Sequence, residues 1–286
     1  MAVEREDAQA EPVGPKSRGA DPADPRLAWY RGVADPELLR SGGRFVAEGR
    51  SVVARLLSDP RWTVESVLVT PAALAWLRTA VGERLDRVPV FVVSLDELRG
   101  LTGYNIHRGC LAVGLRPAPL PLEAVLPPAG ERAMALGLEG LANPDNVGAC
   151  FRNAAAFGVR AVVADDRCTD PFYRKAIRTS MAAVFQVPFA RVPAWPATLA
   201  ALRREGWTSV ALVTDERAPD LRGAVPRLRE AGRVLLLVGA EGTGLDPATV
   251  AEADAAVRIP MAPGVDSLNV ATAAAIALYA IATPLG

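Results

Sequence analysis

Three short stretches concentrate residue types that can do chemistry. In 143–158, NPDNVGACFRNAAAFG, the residues Asn143, Asp145 and Asn146 crowd the start of a helical pattern, and Arg152 follows further along it. In 235–245, LLLVGAEGTGL, an apolar run opens into a loop where Gly239, Gly242 and Gly244 surround Glu241. In 259–281, IPMAPGVDSLNVATAAAIALYAI, a proline-glycine loop leads to Ser267 and Asn269 ahead of an alanine-rich helix. Three amides, a hydroxyl, two carboxylates and a guanidinium can orient a polar substrate and stabilise charge that develops on oxygen. Glycines at a strand end let a ligand lie against backbone N–H and C=O groups. The 239–244 loop is neither GxGxxG nor a P-loop, which disfavours a dinucleotide or phosphate cradle.

Each stretch also has a plainer reading. Asn143 and Pro144 suit a capped helix with a surface arginine, and the glycines suit an ordinary strand-to-loop turn. Ser267 reads as the N-cap of the last helix, with Asn269 inside its first turn. These readings do not explain why so many polar residues crowd the carboxyl ends of apolar strands, where open α/β sheets bind ligands.

Composition narrows the classes. The chain has 286 residues, half of them hydrophobic, with a net charge of zero, so only local patches could attract nucleic acid. No apolar run reaches the ~18 residues of a membrane span, and the N-terminus has no apolar segment of a secretory signal. His107 is the single histidine, and Cys110, Cys150 and Cys168 lack ligand-like spacing. That argues against a zinc site or a histidine-based triad and for a reducing, cytoplasmic home.

The elements that must position these residues follow from periodicity. Residues 1–24 are charged and proline-rich and read as a disordered tail. Residues 25–116 read as a compact α/β unit, with FVAEGRSVVARLL at helical spacing. The prolines of 117–131 predict an extended linker and a domain boundary. From 132 to 286, strands alternate with helices, DPFYRKAIRTSMAAVF among them, which predicts a mostly parallel sheet covered on both faces.

The three motifs, in this order, resemble those of the SpoU/TrmH family of the SPOUT superfamily, RNA ribose methyltransferases that use S-adenosylmethionine. The resemblance covers 132–286 closely. Segment 44–116, with AEGRSVVARLL and IHRGCLAVG, is similar more loosely to the family's N-terminal substrate-binding domain. The resemblance implies a deep trefoil knot, a homodimer, no metal, and a catalytic set of Asn146, Arg152, Glu241, Ser267 and Asn269. It implies a cofactor pocket built from Leu237, Val238, Gly239, Gly242, Ile259, Met261 and Leu268, with Thr214 at the end of a neighbouring strand. Arg152 would then act either as the activating base of the 2′-hydroxyl or as a clamp on the adjacent phosphate; an arginine stays protonated, which favours the clamp.

RNA contacts are expected from Arg174, Lys175 and Arg178, aided by Asn105, His107 and Arg108. The resemblance favours ribosomal RNA over transfer RNA, because family members with such a separate N-terminal unit act mostly on large ribosomal RNA, and an antibiotic-resistance role falls within the same chemistry. A non-catalytic RNA-binding protein and a Rossmann-type nucleotide enzyme are the competing classes. Cys150, Asn153 and Ala271 depart from the family pattern, as does an alanine at 182 or 183 where glycine is usual.

Overall fold

The computed structural model describes residues 18–19, 24–32, 35–41, 43–103, 106 and 109–282. Two sheets organise them. The first is mixed, with strands β1 (Arg18–Gly19), β2 (Arg44–Glu48), β3 (Val64–Val69), β4 (Val90–Val92) and β5 (Cys110–Leu115) in the order β1-β4-β3-β5-β2. It carries α1 (Asp35–Ser41), α2 (Arg50–Ser58), α3 (Pro71–Val81) and α4 (Leu95–Thr102). The helical expectation for FVAEGRSVVARLL holds only from Arg50 onward. Arg44–Glu48 is a strand antiparallel to β5: Phe45 and Ala47 enter one core cluster and Val46 the other, the alternation of a two-sided strand. Gly49, at φ 105, turns the chain from strand to helix.

The second sheet contains β6 (Ala133–Glu139), β7 (Ala161–Asp165), β8 (Phe189–Val192), β9 (Thr208–Leu212), β10 (Arg233–Gly239) and β11 (Ala255–Val257), ordered β11-β9-β10-β6-β7-β8. Every pairing in it is parallel, as its near-continuous apolar strands lead one to expect. The accompanying helices are α5 (Leu122–Val125), α6 (Pro144–Ala156), α7 (Arg174–Thr179), α8 (Trp195–Arg204), α9 (Leu221–Ala231), α10 (Pro247–Glu252) and α11 (Val270–Ile281). Both faces are covered. Val234, Leu236 and Val238 of β10 join the cluster that includes α6 and α11, whereas Leu235 and Leu237 pack with Trp195, Leu199 and Leu202 of α8.

Two segments depart from their expected form. The helix expected over DPFYRKAIRTSMAAVF is confined to α7; beyond it Met181 and Ala182 adopt φ of 52° and 69°, and for a residue with a Cβ that left-handed geometry costs roughly 1–2 kcal/mol. The segment 117–131 is docked. Leu120 bridges to Ala190, Val125 packs with Ala161 and Ala190, and the Arg233 guanidinium donates to the carbonyls of Pro127, Pro128 and Glu131.

An aromatic cluster joins the two sheets' layers. Phe45 stacks on Phe172 with ring centroids 5.1 Å apart, and Trp62 meets Phe185 at 5.0 Å. Around it, Arg55 donates to the Met181 carbonyl at 2.8 Å, Arg61 and Trp62 both donate to that of Phe185, and Arg116 pairs with Asp170 at 2.6 Å.

Candidate active site

Helix α6 begins where Asn143 accepts a hydrogen bond from the Asp145 N–H at 2.9 Å, with Pro144 in the first turn. Its buried side carries Asn146, Val147, Cys150 and Phe151. Gly148 lets α7 approach closely, since a Cβ there would lie 2.4 Å from the Ala176 carbonyl oxygen. The end of α6 nearest the carboxyl edge of the sheet is thereby fixed.

The cap of α11 is Asn269, which corrects the expectation for Ser267. Asn269 Oδ1 accepts from the N–H groups of Ala271 and Thr272 at 3.0 and 3.2 Å, and its Nδ2 donates to Asn146 Oδ1 at 2.9 Å. An amide has both an acceptor and donors, so one side chain caps the helix and bridges to α6 at once. Ser267 is exposed and makes no hydrogen bond with any described residue. A second tie comes from Asn153, whose Nδ2 donates to the Ala271 carbonyl at 2.7 Å. Two positions that depart from the family pattern thus meet each other.

The loop after β10 folds back on itself: Ala240 bridges to Gly244, and a Cβ on Gly239 would fall 2.2 Å from the Gly244 carbonyl carbon. Gly239 therefore serves the loop's own backbone. Gly242, at φ +86 with open space where a Cβ would be, and Glu241 beside it lie at the exposed tip. Burial pushes the Cys150 thiol up to about 12, and the nearby Cys168 and Glu241 add to the shift. The Glu241 carboxylate is thus within electrostatic reach of α6.

The side chains of Leu237 and Val238 are committed to opposite core faces, so only their backbones could meet a ligand. β10 pairs with β6 through Gly239 but with β9 only through Leu237, which leaves the backbone of Val238 and Gly239 clear of the ladder on the β9 side. Past the ends of β9 and β11 come exposed Thr214, half-buried Ile259 and Met261, and then Leu268, 36% exposed.

Arg152 lies six residues beyond Asn146, about 9 Å along the helix. It is exposed and has no hydrogen bond or ion pair with any described residue. The structure therefore joins Asn146 to Asn269 directly, while Arg152, Glu241 and Ser267 are exposed and make no hydrogen bond or ion pair with any described residue.

The sequence profile of the SpoU rRNA Methylase family matches residues 133–279, from β6 into α11. The chain belongs to the SpoU rRNA methylase family. An uncharacterized tRNA/rRNA methyltransferase of Mycobacterium tuberculosis is 40% identical over 267 residues, covering 91% of this chain and 89% of that protein. The 23S rRNA (guanosine-2′-O-)-methyltransferase RlmB of Bordetella pertussis is 32% identical and covers 82% of this chain and 95% of its own length. The SpoU methyltransferase AviRb of Streptomyces viridochromogenes, solved in complex with the cofactor AdoMet, superposes with a TM-score of 0.72 at 25% identity, covering 91% and 97% of the two chains.

In this SpoU chain the expected RNA patch on α7 is engaged internally. Arg174 and Arg178 approach Glu48 at 3.7 and 3.8 Å, and Lys175 pairs with Asp145 at 2.7 Å. Burial pushes the Asp145 carboxyl up, but hydrogen bonds from Lys175 and Thr179 outweigh it and hold the group below the usual carboxylate range. Asn105, His107 and Arg108 lie outside the described residues. Among the described residues no group of three His, Cys, Asp or Glu side chains could hold a metal ion, and no helix is long and apolar enough to cross a membrane. Residue-by-residue reading missed Glu139, a buried carboxylate that ends β6; its signal was an acid closing the apolar run of LGLEGL.

Proposed function

We propose that this SpoU methylase transfers a methyl group from S-adenosylmethionine to a ribose 2′-hydroxyl of ribosomal RNA. The observation that carries the reading is the hydrogen bond from Asn269 to Asn146, which fastens the third motif to the first at the carboxyl edge of the parallel sheet. RlmB, which acts on a guanosine 2′-oxygen of 23S rRNA by its name, and AviRb, solved with AdoMet, support the reaction class.

The backbone of Leu237, Val238, Gly239 and Gly242, with Ile259, Met261 and Leu268, would hold the cofactor, and Thr214 stands at the rim. When bound, the cofactor supplies a methyl group made electrophilic by its sulfonium. The chain's own task is alignment, which can remove ~7–11 kcal/mol of barrier. Asn146, locked by Asn269, orients the nucleotide together with Ser267 and Glu241. Arg152, unengaged and permanently charged, clamps the neighbouring phosphate and stabilises charge growing on the 2′-oxygen.

The same reading makes the protein a cytoplasmic homodimer. Val265, Ile276 and Tyr279 are 48%, 40% and 73% exposed on and before α11, an apolar face suited to a second copy. We read 132–286 as the knotted methylase unit, 25–116 as the unit that grips RNA, and 117–131 as their connection. Support for the knot comes from β10, which inserts between β9 and β6, and from α11, which packs against α6, α9 and β10.

The test is methyl transfer from labelled cofactor to total RNA of a strain lacking the gene, fractionated by size. Label on a ribose of the large ribosomal RNA is expected. Label confined to transfer RNA overturns the substrate, label on a base overturns the mechanism, and no transfer despite RNA binding returns the protein to the non-catalytic class.

A further inference from the structure

Glu139 ends β6 with 3% of its surface exposed, at a point where three chain segments meet. Its Oε2 accepts from the Asp246 N–H at 2.9 Å, its Oε1 accepts from Thr249 Oγ1 at 2.8 Å, and Arg167 Nη2 stands 3.1 Å from Oε1. Arg167 also donates to Asp165 Oδ2 at 2.8 Å, and Asp165 Oδ1 in turn accepts from the Gly140 N–H at 2.9 Å. One carboxylate thus links the end of β6 to the return limb of the 240–245 loop and, through Arg167, to the end of β7.

Nothing in the methyl-transfer chemistry uses this group, yet a buried carboxylate with this many donors is costly unless it fixes something. What it fixes is the base of the loop that presents Glu241 and Gly242. The tip residues 241–244 are exposed, and the exit of the loop is held at Asp246, the cap of α10, and at Thr249 in its first turn.

We infer that Glu139, braced by Arg167, is a positioning residue that, through the cap and first turn of α10, holds the 240–246 loop in the shape that receives the cofactor. This rests on the reading that the loop forms part of the cofactor pocket. The test compares wild type with Glu139→Gln, Thr249→Val and Thr249→Ser, by hydrogen exchange of the 240–249 amides in cofactor-free protein and by calorimetric titration with S-adenosylmethionine. Losing a hydrogen bond to a charged acceptor should speed loop exchange about tenfold and weaken cofactor binding about tenfold in Glu139→Gln and Thr249→Val. Thr249→Ser, which keeps the hydroxyl, should restore both.

Unchanged exchange in the two disruptive variants overturns the inference. Faster exchange with unchanged cofactor affinity overturns it too, because Glu139 would then serve stability alone. If Glu139→Gln does not fold, the Thr249 pair decides. If wild type itself binds no cofactor, the proposed function fails before any variant is compared, and the inference falls with it.

Discussion

The α6–α11 junction and the exposed loop residues of the same motifs differ in how their polar groups are used. At the junction every named amide is engaged: Asn146 with Asn269, Asn269 with two backbone N–H groups, Asn153 with Ala271. On the tips, Glu241 and Ser267 are exposed without a hydrogen bond or ion pair among the described residues, and Arg152 on α6 is alike. Under the proposed function the difference separates frame from reagents: groups bonded within the protein set geometry, and groups left open have capacity for a ligand.

The largest effect should come from a reagent. Arg152→Ala is expected to lower kcat/KM about 10³-fold, the scale of losing a charge-stabilising group, while the melting temperature stays put because the exposed side chain makes no hydrogen bond or ion pair with a described residue. An active Arg152→Ala protein would remove Arg152 from the reagents. The frame should respond in the opposite way. Gly148→Ala forces a Cβ to within 2.4 Å of the Ala176 carbonyl and should destabilise by about 3 kcal/mol in denaturant unfolding. A loss under a few tenths would mean that α6 and α7 separate easily.

Asn269→Ala removes a cap and orphans the buried Asn146, together about 2 kcal/mol. Asn269→Ser keeps the cap without the bridge and should recover roughly half of that. Full recovery by serine would show that the bridge contributes nothing. Ala182→Gly relieves a left-handed alanine, and after the added entropy of the unfolded chain it should stabilise by about 0.5–1 kcal/mol.

The smallest effect is acidic. Burial raises the Asp165 carboxyl, but hydrogen bonds from Gly140, Cys168 and Arg167 outweigh it and leave it below the usual range. A depressed folded pKa gives stability that is full above the unfolded value, about 3.9, and is lost as pH falls from there through the folded one. Asp165→Asn should flatten that part of a melting-temperature profile, and an unaltered slope would assign acid sensitivity elsewhere.

Much of this frame was legible because motifs and strand patterns are local. The continuous apolar run of β10 and the polar crowding at 143–146 need no distant partner to be seen. What escaped depended on residues far apart in sequence. Ser267 was the better cap by spacing alone, and Asn269 takes the role because Asn146, 123 residues earlier, gives its amide a second use. Arg174, Lys175 and Arg178 of α7 were read as an RNA patch from local charge alone, and their carboxylate partners Glu48 and Asp145 lie elsewhere in the sequence. Phe45 and Val46 fit a helical spacing, and only the two cores on either side of β2 make them a strand.

The Phe45–Trp62–Phe172–Phe185 cluster has a bearing on how an RNA would be addressed. Its rings are shared between the layers of both sheets, and Arg55, Arg61 and Trp62 pin the carbonyls of 181–185 around it. Such packing resists hinge motion. On the proposed reading, in which the first sheet grips RNA and the second modifies it, the protein would work as a ruler of set length. The methylated ribose would be chosen by its distance from the gripped feature, so moving that feature along the RNA by one helical turn should abolish methylation without loosening the grip.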